Sequence, residues 1–180
     1  DTLSLHDALP ICAVFAFIKL AGLQPSQRIG QMADDKERTD IGALGTGTIS
    51  VTNTGSLRMT GGVTLGNALT LNGGPSDLAF GALHSFSGSN IYDGNVTVAT
   101  GARVVAANTA GNSLLINGDI ALGANSLSFT AGSTAAYAGG DITVAGDISS
   151  STGGITKNNA TGTLTLVGTN SYVNTSIAGG

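Results

Sequence analysis

Gly162-Thr163-Leu164-Thr165-Leu166, followed after Val167 by Gly168-Thr169-Asn170-Ser171-Tyr172, alternates leucine with threonine and is fenced by glycine. Alternation with a period of two puts Leu164 and Leu166 on one face of an extended strand and Thr163 and Thr165 on the other. The leucine face is expected to point into a core and the threonine face to water. The same texture runs back to Ile41, in Thr48-Ile49-Ser50-Val51-Thr52, Leu69-Thr70-Leu71, Asn95-Val96-Thr97-Val98, Asp119-Ile120-Ala121-Leu122 and Asp141-Ile142-Thr143-Val144. β-branched residues suit such a pleated, half-buried surface, and no stretch here keeps a helical period.

Strands this short are unstable as isolated hairpins. They become stable when each coil stacks on the next and the apolar faces merge into one core. Gly118-Asp119-Ile120 recurs as Gly140-Asp141-Ile142 after twenty-two residues, a length that fits three short strands and three turns. A third copy, Gly146-Asp147-Ile148, follows six residues further on. Gly88-Ser89-Asn90-Ile91-Tyr92 is echoed by Gly168-Thr169-Asn170-Ser171-Tyr172 at a spacing of eighty, close to four such coils. The expected fold is all-β: a right-handed parallel β-helix of about six coils over residues 41–180, incomplete at both ends.

The ordered set Gly153-Gly154-Ile155-Thr156-Lys157, Gly162-Thr163-Leu164-Thr165-Leu166 and Gly168-Thr169-Asn170-Ser171-Tyr172 resembles the autotransporter-associated β-strand repeat. Looser likenesses, Leu65-Gly66-Asn67-Ala68-Leu69-Thr70-Leu71-Asn72-Gly73 and Ile120-Ala121-Leu122-Gly123-Ala124-Asn125-Ser126-Leu127, extend it over about residues 41–180. Two departures concern turns: Lys157-Asn158-Asn159-Ala160-Thr161 replaces a glycine-rich turn, and Val173-Asn174-Thr175 lacks the usual Thr-Gly. The resemblance implies a passenger segment of a type V secreted autotransporter, exported to the bacterial surface through a C-terminal outer-membrane β-barrel. Its expected role is that of stalk or adhesin scaffold. The alternatives are a module that binds carbohydrate or a host or neighbouring cell surface and, last, a polysaccharide-degrading enzyme.

Composition narrows the field further. The chain has 180 residues with 28 glycines, 3 prolines, no tryptophan, 10% charged and 41% apolar residues, which is too apolar for the disordered class. A net charge of −4 and seven scattered Lys and Arg residues argue against nucleic acid, which needs a clustered basic face. The single Cys12 excludes an internal disulfide and a thiolate zinc cluster.

Residues 1–11, Asp1-Thr2-Leu3-Ser4-Leu5-His6-Asp7-Ala8-Leu9-Pro10-Ile11, resemble the in-frame translation of a sequencing adapter. They are set aside, His6 and Asp7 with them, and the natural N-terminus is expected to be missing. Residues 12–40 are read as an irregular or helical segment or an opening coil. The apolar run Ile11 to Leu23 is too short to span a bilayer as a helix. It also fits the apolar part of a signal peptide, though Lys19 interrupts it. Asp34-Asp35-Lys36-Glu37-Arg38 reads as a solvated face.

No catalytic, cofactor-binding or metal-ligating residues are expected. Glycoside hydrolysis needs two carboxylates across a groove. The acids after residue 40 are Asp77, Asp93, Asp119, Asp141 and Asp147. A coil of twenty-two residues stacks Asp119 on Asp141, about 5 Å apart. Each follows glycine and precedes a strand, so turn chemistry is expected ahead of weak calcium binding and of catalysis. His84, without a second His or a nearby Cys, is given a surface or turn role rather than a zinc or triad role. Gly-x-Ser-x-Gly and phosphate-loop motifs are absent. Asn95-Val96-Thr97 fits an N-glycosylation pattern of little weight in a bacterial chain. Tyr92 and Tyr172 are read as stacking within a coil, with ligand contact as the alternative. A cut β-helix leaves its last coil, through Ile177-Ala178-Gly179-Gly180, open to self-association.

Overall fold

A computed structural model describes residues 44–53, 55–73, 81–106, 111–131, 139–158 and 161–178, leaving aside the side chains of Asn53, Arg103, Val105 and Ala106. Numbered in chain order, the described strands fall into three sheets. Sheet 1 holds β1 (Ile49–Asn53), β4 (Leu69–Gly73), β7 (Val96–Thr100), β10 (Ile120–Ala121) and β13 (Ile148–Ser149). Sheet 2 holds β2 (Leu57–Thr60), β5 (Leu83–Ser87), β8 (Ala102–Ala106), β11 (Leu127–Ala131), β14 (Ile155–Asn158) and β16 (Thr175–Ala178). Sheet 3 holds β3 (Thr64–Leu65), β6 (Ser89–Tyr92), β9 (Ser113–Ile116), β12 (Asp141–Val144) and β15 (Leu164–Leu166). The chain visits the sheets in rotation, and each strand pairs in parallel with a strand one circuit later, as Ile49 does with Leu69. This is a parallel β-solenoid.

Alternation produces the core. Parallel register stacks like on like, so the inner face of sheet 1 is the column Ile49, Leu69, Val96, Ile120 and Ile148. Sheet 3 contributes Leu65, Tyr92, Ile116, Val144 and Leu166, and sheet 2 contributes Leu57, Leu83, Val104 and Phe129. Of these, all but Leu166 are buried in one continuous cluster. Each fully buried Leu or Ile is worth about 1.5–3 kcal/mol relative to exposure, so the columns supply the main stabilising force that the short strands lack.

The circuit is not of fixed length. The stacked residues Ile49, Leu69, Val96, Ile120 and Ile148 lie 20, 27, 24 and 28 residues apart. The passages from sheet 1 to sheet 2 and from sheet 2 to sheet 3 absorb the difference, whereas the passage from sheet 3 to sheet 1 keeps its length, as from Tyr92 to Val96 and from Val144 to Ile148. This corrects the twenty-two-residue marker. Ile120 stacks on Ile148, so Gly118-Asp119-Ile120 is repeated one circuit later by Gly146-Asp147-Ile148; Gly140-Asp141-Ile142 leads instead into sheet 3. The eighty-residue echo is also not a stack. Ile91 and Tyr92 belong to sheet 3, whereas Ser171 bridges to Ser149 on sheet 1.

Leu164 and Leu166 do pack against the core, but both are half-buried. They sit on β15, the outermost strand of sheet 3, which has a neighbour on one side only.

Candidate functional site: the glycine and Asx corner

The corner between sheets 3 and 1 is the most regular feature outside the core. Gly66-Asn67, Gly94-Asn95, Gly118-Asp119, Gly146-Asp147 and Gly168-Thr169 occupy it on successive circuits. Four of these five glycines, all but Gly66, stand where the backbones nearly touch. A Cβ on Gly118 would collide with the carbonyl oxygen of Gly94, one on Gly146 with that of Gly118, and one on Gly168 with that of Gly146. None of these three has a positive φ, so close approach is what selects glycine.

Three of the residues that follow these glycines, Asn95, Asp119 and Asp147, tie their circuit to the next. Asp119 donates its backbone N–H to Asn95 Oδ1 at 3.0 Å, Asp147 to Asp119 Oδ1 at 3.0 Å, and Thr169 to Asp147 Oδ1 at 2.6 Å. Beside this ladder Asn117 Nδ2 donates to Asp93 Oδ1 at 2.7 Å. Asp141 stands at a different corner, where its Oδ1 accepts the N–H of Thr163 at 2.9 Å. Asp119 and Asp141 therefore do not form a stacked pair; the stacked pair is Asp119 and Asp147. Asp119, Asp141 and Asp147 each have an oxygen occupied by a backbone N–H of the next circuit, 22 or 28 residues on, rather than by the backbone of their own turn. Among the described residues no group of three His, Cys, Asp or Glu comes together in a way that could hold a metal ion.

His84 overturns its surface-or-turn reading. It lies inside β5 and is fully buried, although it points away from the core that Leu83 and Ser85 face. Its ring meets Phe86 edge to face, centroids 5.7 Å apart and planes at 82°, and the Arg58 guanidinium lies 3.2 Å above the Phe86 ring. Arg58 is the register partner of His84, so the three form one cluster on the outer face of sheet 2.

A buried polar site went unread in the sequence. Asn90 replaces an aliphatic residue in the inner column of sheet 3, below Leu114 and Ile142. Its Oδ1 accepts the N–H groups of Gly62 and Val63 at 3.1 and 3.0 Å, and its Nδ2 donates to Ser85 Oγ at 2.8 Å and to the Ser87 carbonyl at 2.9 Å. Ser85 Oγ passes the chain on to the Ser113 carbonyl at 2.9 Å. Every hydrogen-bonding atom of the Asn90 amide is used, which is the condition for burying it. The only signal was an asparagine at an apolar position of the alternating run Ser89-Asn90-Ile91-Tyr92.

Tyr92 is fully buried in the column between Leu65 and Ile116, and its hydroxyl donates to the Asn67 carbonyl at 2.7 Å. Burial pushes its phenol well above the ordinary tyrosine range. Tyr172 is half-buried against the core, and its hydroxyl accepts from Thr175 Oγ1 at 3.1 Å. Asn95 of the glycosylation pattern is exposed and belongs to the corner ladder. Gly66-Asn67 and Gly123-Ala124-Asn125, matched above by likeness, turn different corners: the first joins β3 to β4, the second β10 to β11. His6, Asp7, Cys12, Asp34 to Arg38 and Asp77 lie outside the described residues.

No family model, curated protein or solved structure matches the chain.

Proposed function

We propose that residues 41–180 are a structural, surface-displayed passenger segment of a bacterial autotransporter, a right-handed parallel β-helix of about six coils. The segment holds other regions away from the cell as a stalk or adhesin scaffold and performs no catalysis. Its partners are the outer-membrane β-barrel of a longer parent chain and, at the display end, a host or neighbouring cell surface. The observation that carries this reading is the exterior of sheet 1. Its outward column is Ser50, Thr70, Thr97, Ala121 and Ser149, short side chains throughout. A column of that kind makes a flat, uncharged wall, which suits a spacer and gives a substrate no cleft to enter. The autotransporter-like motifs of residues 153–172 point the same way.

The test is in the parent gene and on the cell. The reading frame beyond Gly180 should end in alternating amphipathic segments of about ten residues, the signature of a membrane barrel. An epitope placed at the exposed Gly123-Ala124 corner should then be stained by antibody on intact cells. Staining only after lysis overturns the proposal.

A second reading, a binding module, has one feature in its favour. The outward column of sheet 3 sets half-exposed Ile91 and Leu115 among Thr64, Thr143 and Thr165. A glycan array separates the two, since a pure spacer binds nothing on it.

A further inference from the structure

We infer, beyond the structural role proposed above, that Asn117 is a self-modification site. Its side-chain amide closes on the backbone nitrogen of Gly118, loses ammonia and leaves aspartate or isoaspartate at the corner between sheets 3 and 1.

Asn followed by Gly hinders such ring closure least, because glycine has no side chain to crowd the attacking nitrogen. The chain has two such pairs, Asn72-Gly73 and Asn117-Gly118, in different surroundings. Asn72 and Gly73 lie inside β4, where Asn72 is the register partner of Thr52 and Thr100 and Gly73 that of Asn53. Their extended backbone is held from both sides. Asn117 and Gly118 lie between β9 and β10, outside any strand, and Asn117 is exposed. The amides around Gly118 are all engaged. Asn117 N–H donates to the Tyr92 carbonyl at 2.9 Å, Asp119 N–H to Asn95 Oδ1 at 3.0 Å and Ile120 N–H to the Asp147 carbonyl at 2.8 Å. Gly118 N–H donates to no group among the described residues. The nitrogen that must attack is therefore the one with no hydrogen bond to give up.

The step balances with water alone. Gly118 N–H gives its proton to hydroxide, the nitrogen bonds to Asn117 Cγ, and the Cγ–Nδ2 bond breaks as ammonia leaves with a proton from water. Water then opens the succinimide: cleavage at Cγ leaves aspartate, and cleavage at the backbone carbonyl carbon leaves isoaspartate. Conversion to aspartate removes the Nδ2 donor that meets Asp93 Oδ1 at 2.7 Å and sets a carboxylate against a carboxylate. Isoaspartate lengthens the backbone by one atom, in the passage that keeps its length from circuit to circuit. The Asn117 and Gly118 carbonyls already crowd Gly146 there, so the corner loosens.

Ageing of the full 180-residue chain at mildly alkaline pH tests this, beside the same chain held unfolded in urea. Peptide mapping and enzymatic methylation of isoaspartate give the readout. The expected result is a gain of about 1 Da at residue 117, with Asn72 converting several-fold more slowly in the folded chain and at a similar rate in the unfolded one. Asn117→Gln should abolish the gain at that position. Asn117→Asp should keep the parent's circular dichroism and lower its unfolding midpoint. Equal conversion of Asn72 and Asn117 in the folded chain overturns the inference, as does an Asn117 that converts only when unfolded. An Asn117→Asp midpoint equal to the parent's overturns the loosening of the corner.

Discussion

The backbone N–H of Asp147 points at the side-chain Oδ1 of Asp119, 3.0 Å away and twenty-eight residues earlier in the chain. One carboxylate oxygen thereby holds the next circuit at its corner, and the same relation continues from Asp147 to Thr169. The interaction needs an acceptor in that place rather than a charge. Asp119→Asn should therefore keep the corner, with a change in stability under about 0.5 kcal/mol. Asp119→Ala removes the acceptor and should cost about 1 kcal/mol, the net worth of one hydrogen bond. Urea midpoints of the two variants check it, and equal losses would mean that charge matters more than geometry.

The glycine beneath that aspartate is constrained more tightly. A Cβ on Gly146 meets the backbone carbonyls of Gly118 and Asn117, which cannot swing aside without moving a strand. Gly146→Ala should destabilise by about 1–3 kcal/mol, the usual cost of overpacking. Gly66 is the control, since a Cβ there meets nothing within 4 Å and its φ is not positive. Gly66→Ala should be tolerated within about 0.5 kcal/mol, as at most surface sites. Thermal denaturation of the pair gives the comparison.

These corners show why part of the architecture was legible and part was not. The strands were readable because Leu69-Thr70-Leu71 or Ile142-Thr143-Val144 can satisfy both faces only when extended, whatever surrounds them. The circuit length was not, because the passages from sheet 1 to sheet 2 and from sheet 2 to sheet 3 admit extra residues without disturbing register, and the circuits run from 20 to 28. A fixed period of twenty-two therefore pairs Asp119 with Asp141, although the third copy, Gly146-Asp147-Ile148, is the one that stacks. Asn90 and His84 were hidden for a different reason. Asparagine at an inner position is stable only because Gly62, Val63, Ser85 and Ser87 converge on it, and only Ser85 and Ser87 are sequence neighbours. The burial of His84 depends on what lies over the outer face of sheet 2, which alternation does not encode.

Inner and outer positions should respond very differently to charge. Ile142 is fully buried, while its neighbour Thr143 lies on the outward column. Ile142→Asp places a carboxylate among apolar side chains and should cost several kcal/mol. Thr143→Asp should cost about 1 kcal/mol or less. Leu164→Asp belongs between them, because Leu164 is only half-buried on the edge strand. Guanidinium unfolding of the three variants should rank them in that order.

Alkaline pH should reveal Tyr92. Its phenol is held protonated by burial, so the folded value lies above the unfolded one. Below about pH 10 both states are neutral and this group adds no pH dependence. Above about pH 10 the unfolded chain releases the proton first, and stability falls by up to about 1.4 kcal/mol per pH unit until the folded form also ionises. Tyr92→Phe should lose the hydrogen bond to Asn67, about 1 kcal/mol near neutrality, and should flatten the alkaline decline. Denaturation midpoints of both proteins at pH 8 to 11 check the sign: if the decline is unchanged in the variant, Tyr92 is not its source.

The register of the stack is open to direct measurement by cysteine cross-linking, with Cys12 changed to serine. Ala121 and Ser149 are register partners on adjacent parallel strands, both exposed. Neighbouring strands lie about 4.8 Å apart, within the Cα separation that a disulfide spans. Ala121→Cys with Ser149→Cys should therefore close a disulfide on mild oxidation, seen as a mass loss of about two hydrogens in the intact monomer. Ala121→Cys with Thr143→Cys, the pair that a uniform twenty-two-residue coil would stack, should stay reduced, because Thr143 lies on sheet 3. Cross-linking of the 121–143 pair in place of the 121–149 pair would contradict the solenoid as described.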